Sequence, residues 1–218
     1  MNKEWSELNK TMQAQIKKKD TYKMGIDTLF NLRRQLMQTL VSFKEDLCRE
    51  DFNAIPFINA DGYHSKTIAY SIWHIFRIED IVAHTVITED EQVFFTGNYQ
   101  VRINSPIITT GNELVKQQIA DFSKQLNLEE LYPYIFEVRE STEKILERFS
   151  YDELKWKIPD ERKGYLKSLN VVNCDEKAIW LIDYWCSKDI RGLIQMPFSR
   201  HWIMHTEACL RIKNKMHS

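Results

Sequence analysis

Residues 21–47, TYKMGIDTLFNLRRQLMQTLVSFKEDL, carry the pattern that decides the fold. Apolar residues recur in this stretch at steps of three and four, which is the period of one face of an α-helix. They are Leu29, Leu32, Leu36, Leu40, Phe43 and Leu47. The stretch therefore predicts a long amphipathic helix that packs against other helices.

The same period predicts further helices along the chain. They cover about residues 65–87, 128–149 and 175–191, and a final one holds His201 and His205. Ser65 or Thr67 and Asp175 are the expected N-caps, because short polar side chains satisfy the first free amide groups of a helix. Gly192 and Pro197 interrupt the chain between the last two segments, which together count as one broken helix. Four long helices, the last of them broken, predict an all-α four-helix bundle.

Two other segments complete the predicted organisation. Residues 1–19 form an N-terminal extension with a short helix, which ends at the polar run 17–20. Residues 88–127 form a long connection with a minor helix over about 110–126, and a connection of that length can cross a bundle. The scarcity of glycine (6) and proline (5) argues against a β-sandwich or barrel. We predict one domain over residues 1–218.

Composition excludes several classes of partner. The 30 basic and 31 acidic residues leave a net charge of −1. The chain therefore lacks the excess of basic residues that would predict nucleic-acid binding. Neither a signal peptide nor an apolar run long enough to span a bilayer is evident. Four cysteines without Cys-x-x-Cys spacing fit reduced thiols, so we expect a soluble cytoplasmic protein. They are Cys48, Cys174, Cys186 and Cys209.

The spacing of His201 and His205 is typical of a metal site. Residues four apart lie on one face of a helix, so both imidazoles can reach the same ion. A divalent ion needs at least one more protein ligand. His74 and His84 share a helix but lie ten residues apart, roughly 15 Å along its axis. We select His74, because it lies beside the apolar stripe and His84 lies on the side of Arg77 and Asp80.

Other residues near this predicted site have open roles. Glu79 falls within the apolar stripe, where it would either hold a ligating histidine by its distal nitrogen or pair with an arginine. Cys209, one turn beyond His205, would be a fourth ligand, a nucleophile or simply a core residue, and the core role is favoured. Arg200 would bind a substrate carboxylate or form a surface ion pair.

Aromatic side chains on the same helices would line a substrate pocket or pack in the core. They are Tyr70, Trp73, Trp180, Tyr184, Trp185 and Trp202, of which Tyr70 and Trp202 are the named pocket candidates. A di-iron carboxylate site requires Glu-x-x-His pairs. The chain contains none, so that class of metal site is set aside.

The segments SIWHIFRIED (71–80) and PFSRHWIMH (197–205) resemble the DinB-like (YfiT-type) superfamily of bacterial metalloenzymes. The resemblance covers roughly residues 20–215 and implies a four-helix bundle with up-down-down-up topology. It assigns a divalent metal to His74, His201 and His205, with zinc or nickel first and iron, manganese or copper as alternatives. The insert over 151–174 departs from the family pattern.

The resemblance also implies a class of reaction. Several DinB-like proteins are thiol-dependent transferases or isomerases, so the leading hypothesis is a metal-dependent S-transferase that acts with a low-molecular-weight thiol. A hydrolase that uses metal-activated water is the second form of this hypothesis. The alternative is a non-catalytic, stress-related binding or dimerisation module with a structural or vestigial metal site. A homodimer is compatible with either.

Overall fold

The computed structural model describes residues 2–217, and the regular secondary structure of these residues is almost entirely helical. The α-helices are α1 (Lys3–Gln15), α2 (Tyr22–Asp46), α3 (Arg49–Asn53), α4 (Ile68–Asp80), α5 (Val93–Thr96), α6 (Tyr99–Arg102), α7 (Gln117–Gln125), α8 (Leu128–Glu147), α9 (Arg162–Ser168), α10 (Glu176–Cys186), α11 (Ile190–Gln195) and α12 (His201–Met216). A π-helical segment, Ile81–Thr88, continues α4, and another, Met196–Arg200, leads into α12. Short 3₁₀ turns occupy Gly62–His64 and Glu153–Lys155.

The predicted all-α class is confirmed. Helix α2 follows the predicted bounds closely, and five residues of its apolar seam are fully buried, namely Leu29, Leu32, Leu36, Leu40 and Phe43. Helix α4 contacts α8 and α12, and α2 contacts the same two helices. The up-down-down-up bundle topology stays a prediction.

Helix α1 confirms the short helix predicted before residue 20. It packs along α2, and its residues Trp5 and Met12 are buried. The polar run 17–20 is the exposed turn between the two helices. Gly25 permits their close approach, since a Cβ there would lie 2.5 Å from Cγ2 of Ile16.

Helix α4 is buried on every side, which corrects the expectation of a polar face. Every residue from Ile68 to Val86 is buried, including Arg77 and Asp80. The connection after α4 folds back over this face. Asp80 accepts the amide hydrogens of Val93 (2.9 Å) and Phe94 (2.8 Å). Buried charged groups require such partners, and here the covering segment supplies them.

The helix capped by Asp175 is shorter than predicted. Asp175 does accept the Lys177 amide at 2.8 Å, but α10 ends at Cys186 instead of continuing to Arg191. A new N-cap explains the break, because the Asp189 carboxylate accepts the Gly192 amide at 2.7 Å and starts α11. No helix within residues 2–217 combines the length and apolar character of a bilayer crossing.

Candidate metal centre

Three buried histidines meet between α4 and α12, as the sequence predicts. His74 comes from α4, and His201 and His205 lie one turn apart at the start of α12. One candidate ligand atom from each lies within 4.8 Å of the other two. No other group of three metal-binding side chains converges in this way among residues 2–217.

Hydrogen bonding orients His74 for a ligand. Its Nδ1 lies 2.7 Å from the carbonyl oxygen of Thr110. A carbonyl can only accept, so Nδ1 carries the proton and Nε2 presents a free lone pair. A backbone carbonyl is a usual partner for the distal nitrogen of a metal-binding histidine.

The nitrogen geometry fits a tetrahedral ion. Nε2 of His74 lies 3.3 Å from Nε2 of His201. Bonds of about 2.0–2.1 Å to a tetrahedral zinc ion place two nitrogens roughly 3.3 Å apart. Two ligand nitrogens at the 4.8 Å limit would have to move roughly 1.5 Å closer to reach the same spacing. Nδ1 of His201 and Nδ1 of His205 have no hydrogen-bond partner among the described residues.

The three imidazoles are neutral at physiological pH. Burial lowers the pKa of His201 to about 4. Burial, and then the neighbouring His201, hold the pKa values of His74 and His205 well below 6.5. A metal ion binds the unprotonated nitrogen, so these lowered pKa values remove competition from protons. Three neutral imidazoles suit zinc, nickel, copper or iron better than magnesium or calcium.

The loop at Thr110–Gly111 supports the site and was not predicted from sequence. Gly111 has φ +76°, and a Cβ there would lie 2.8 Å from Cζ3 of Trp73. Its carbonyl accepts the Tyr70 hydroxyl at 3.0 Å, and the Tyr70 ring stacks on His74 at 5.2 Å. Arg77 holds the same loop by donating to the carbonyl of Ile108. A glycine inside a long connection is the one sequence signal for this close approach.

Glu79 pairs with an arginine, which resolves its two predicted roles. Its carboxylate accepts two bonds from Arg33, at 2.7 and 2.9 Å, and one of 2.7 Å from the Trp202 indole. Arg33 also reaches Glu143 at 3.1 Å. Burial opposes the charge of Arg33, yet these carboxylates raise its pKa above the ordinary value. Glu79 therefore joins α2, α4 and α12 and does not hold a histidine directly.

Three residues that the sequence places near the site, Trp202, Cys209 and Arg200, lie outside it. Trp202 is fully buried against Arg33 and Glu79, so its assignment to the pocket is wrong. Cys209 is also fully buried, and burial raises its pKa to about 12. It is a core thiol and neither a fourth ligand nor a nucleophile. Arg200 is exposed and does not line the cavity described next.

A cavity of about 760 Å³ is lined by all three histidines. This volume is in the usual range for small-molecule sites. Aromatic side chains form much of its wall, namely Tyr63, Tyr70, Trp180, Tyr184 and Trp185. Tyr70 thus lies in the pocket as predicted. Trp180 is 50% exposed, so the cavity reaches the protein surface there.

His84 takes part in a separate hydrogen-bonded chain. Its Nδ1 lies 2.7 Å from Asp90, and its Nε2 lies 3.0 Å from the Ser141 hydroxyl. This is the residue order of a catalytic triad, but Ser141 lies inside α8, where intrahelical bonds engage the nearby amides. The backbone amides next to Ser141 are therefore not available as oxyanion donors. These hydrogen bonds join the π-helical segment after α4 to α8, and they engage both ring nitrogens of His84 away from the three histidines.

No protein-family model matches this chain, and no curated protein is significantly similar to it. The DinB-like resemblance therefore rests on the two sequence segments and on the three converging histidines.

Proposed function

We propose that this protein is a divalent-metal-dependent enzyme of the DinB-like type, most simply an S-transferase that activates a small thiol. The observation that carries the proposal is the position of three neutral, buried imidazoles in the wall of a cavity of small-molecule size. Three protein ligands leave a coordination position free, as catalytic zinc sites do.

The residues of the chain have separate roles in this proposal. His74, His201 and His205 would hold the ion, and the Thr110 carbonyl keeps His74 in the required tautomer. A bound divalent ion would supply Lewis acidity that lowers the pKa of a thiol or a water molecule. The aromatic wall would exclude bulk water and bind the apolar part of a substrate.

A cavity of about 760 Å³ with an aromatic wall suits an organic substrate for either reaction. The family resemblance is what favours a thiol over water as the activated group. The hydrolase remains the second form of the proposal, because the same ion would activate water. A structural metal in a non-catalytic module would call for a closed site with four protein ligands, and here three histidines border a cavity. A vestigial site would keep the same three ligands, and the turnover measurement below distinguishes it.

Metal content of protein produced without a histidine tag tests the proposal. We expect about one zinc or nickel ion per chain by elemental analysis, which also identifies the metal. His74→Ala, His201→Ala and His205→Ala should each lose that ion, while His217→Ala, at an exposed histidine, should retain it. Retention of the ion by all three site variants would contradict the proposal.

Turnover is tested with the metal-loaded protein. We expect the protein to consume a small thiol together with an electrophilic co-substrate. The loss of free thiol over time measures this reaction. His201→Ala should abolish this consumption, and removal of the metal by a chelator should do the same. Ester hydrolysis without thiol consumption would favour the hydrolase.

A further inference from the structure

The charges that border the cavity are mainly positive. Lys66, Lys116 and Lys177 line it, whereas Asp61 is its one acidic lining residue. Lys177 lies 3.5 Å from Asp175, so its charge is already partly neutralised. Lys116 and Asp61 are exposed to solvent, which screens their charges. Lys66 is the lysine whose charge lies deepest.

Lys66 lies beside the metal centre without a carboxylate partner. Its Nζ sits 5.0 Å from the centre of the Tyr70 ring, and that ring stacks on His74. Its positive charge acts on both His74 and His205. Among residues 2–217, Lys66 forms no ion pair and donates no hydrogen bond. A half-buried ammonium therefore faces the cavity with its hydrogen-bond donors free.

The ligand set leaves this positive charge unbalanced. All three candidate ligands are neutral imidazoles, and no carboxylate belongs to the group. A divalent ion next to Lys66 would place three positive charges in a largely apolar pocket. Buried charges are costly unless a partner of opposite sign accompanies them. The nearby Glu113 carboxylate acts on Tyr70 but does not line the cavity. An anionic occupant would therefore supply negative charge inside the cavity itself.

We infer that the substrate of this site is an anion, a small molecule whose carboxylate or other oxyanion binds to Lys66 while another of its atoms approaches the histidines. This inference rests on the proposed function and deepens it by naming the chemical class of the substrate. The aromatic wall at Trp180 and Tyr184 would contact the apolar part of the same molecule.

Matched thiols provide the test. Cobalt(II)-loaded protein is titrated with 3-mercaptopropionate, 2-mercaptoethanesulfonate, 2-mercaptoethanol and cysteamine, which differ in the charge at one end of a two-carbon chain. Binding is measured by calorimetry and by the sulfur-to-cobalt absorption band. We expect the two anionic thiols to bind about tenfold more tightly than mercaptoethanol, and cysteamine to bind most weakly.

Variants assign the preference to Lys66. Lys66→Met should weaken binding of 3-mercaptopropionate about tenfold and leave mercaptoethanol unchanged, because one charge-assisted hydrogen bond is lost. Lys66→Arg should retain the preference. Lys10→Met, at a surface lysine paired with Glu7 on α1, is the matched control and should behave as the unmodified protein.

The outcomes separate the two proposals. Equal affinity for charged and neutral thiols, or no binding of 3-mercaptopropionate, would overturn the anion inference while bound cobalt would still support the metal centre. A preference that survives in Lys66→Met would overturn the assignment to Lys66. Failure of the unmodified protein to bind cobalt would contradict the proposed function itself.

Discussion

The indole nitrogen of Trp202 donates a hydrogen bond of 2.7 Å to the Glu79 carboxylate, and this bond joins the two helices that carry the three histidines. Trp202 lies between His201 and His205 in sequence, and Glu79 lies five residues after His74. The Arg33 guanidinium lies 4.4 Å above the Trp202 ring and pairs with the same carboxylate. The rotation of α12 relative to α4 is therefore held by buried polar contacts beside the site.

Loss of the Trp202 hydrogen bond should weaken metal binding. Trp202→Phe keeps most of the buried ring but removes the donor, so α12 is held less firmly. We expect zinc affinity to fall about tenfold, the scale typical of groups that support metal ligands. Competition with a chromophoric chelator measures the change. Trp180→Phe, at a half-exposed tryptophan in the cavity wall, is the control and should leave zinc affinity unchanged.

Removal of Arg33 should destabilise the protein strongly. Arg33→Met leaves the Glu79 carboxylate buried without its cation, which we expect to lower the free energy of unfolding by about 3–5 kcal/mol. Arg34→Met, at the exposed neighbouring residue, should change it by less than about 0.5 kcal/mol. The double variant Arg33→Met/Glu79→Gln should be more stable than Arg33→Met. Urea unfolding measures all three, and a small effect of Arg33→Met would contradict the assignment.

A methyl group at Gly111 should disturb the loop that holds His74. Gly111→Ala forces an L-residue to φ +76° and places its Cβ 2.8 Å from the buried Trp73 ring. Gly62→Ala is a matched control, because Gly62 has φ +60° with nothing within 4 Å of the added carbon. We expect Gly62→Ala to lower the free energy of unfolding by about 1–2 kcal/mol, from backbone conformation alone.

Gly111→Ala should therefore lower the free energy of unfolding, measured in urea, by more than Gly62→Ala does. It should also weaken zinc binding. Gly62→Ala should leave zinc binding intact. Equal costs for the two variants would show that the contact with Trp73 relaxes without consequence for the site.

Thiol reactivity should divide the four cysteines in two pairs. Cys48 and Cys174 are exposed, whereas Cys186 and Cys209 are buried. Burial raises the pKa of both buried thiols, so the reactive thiolate form is scarce. A backbone hydrogen bond to Asp51 lowers the pKa of Cys48, but side-chain hydrogen bonds to Asp51 and Glu50 outweigh it, so this pKa is also raised. We expect two accessible thiols in the native protein with a disulfide reagent near pH 8, of which Cys174 reacts faster, and all four after unfolding in urea. Rapid labelling of Cys209, located by mass spectrometry, would contradict its role as a core residue.

Local periodicity explains which parts of this structure are predictable from sequence. Leu36 and Leu40 face the core because helix period and burial coincide along α2. His201 and His205 share a helix face for the same reason, and the position of His74 on its helix favours it over His84. The predicted polar face of α4 is wrong, since Arg77 and Asp80 are fully buried. Periodicity reports one helix at a time and does not show what covers its other face.

Helix period is a property of neighbouring residues, so the all-α class, the approximate bounds of the long helices and the three histidines that can meet are all predictable from the amino-acid sequence. What surrounds those histidines depends on tertiary packing. The Thr110 carbonyl, the Arg33 partner of Glu79 and the ammonium of Lys66 come from segments distant in sequence. Their contacts depend on how helices and connections pack, and no local pattern encodes that packing.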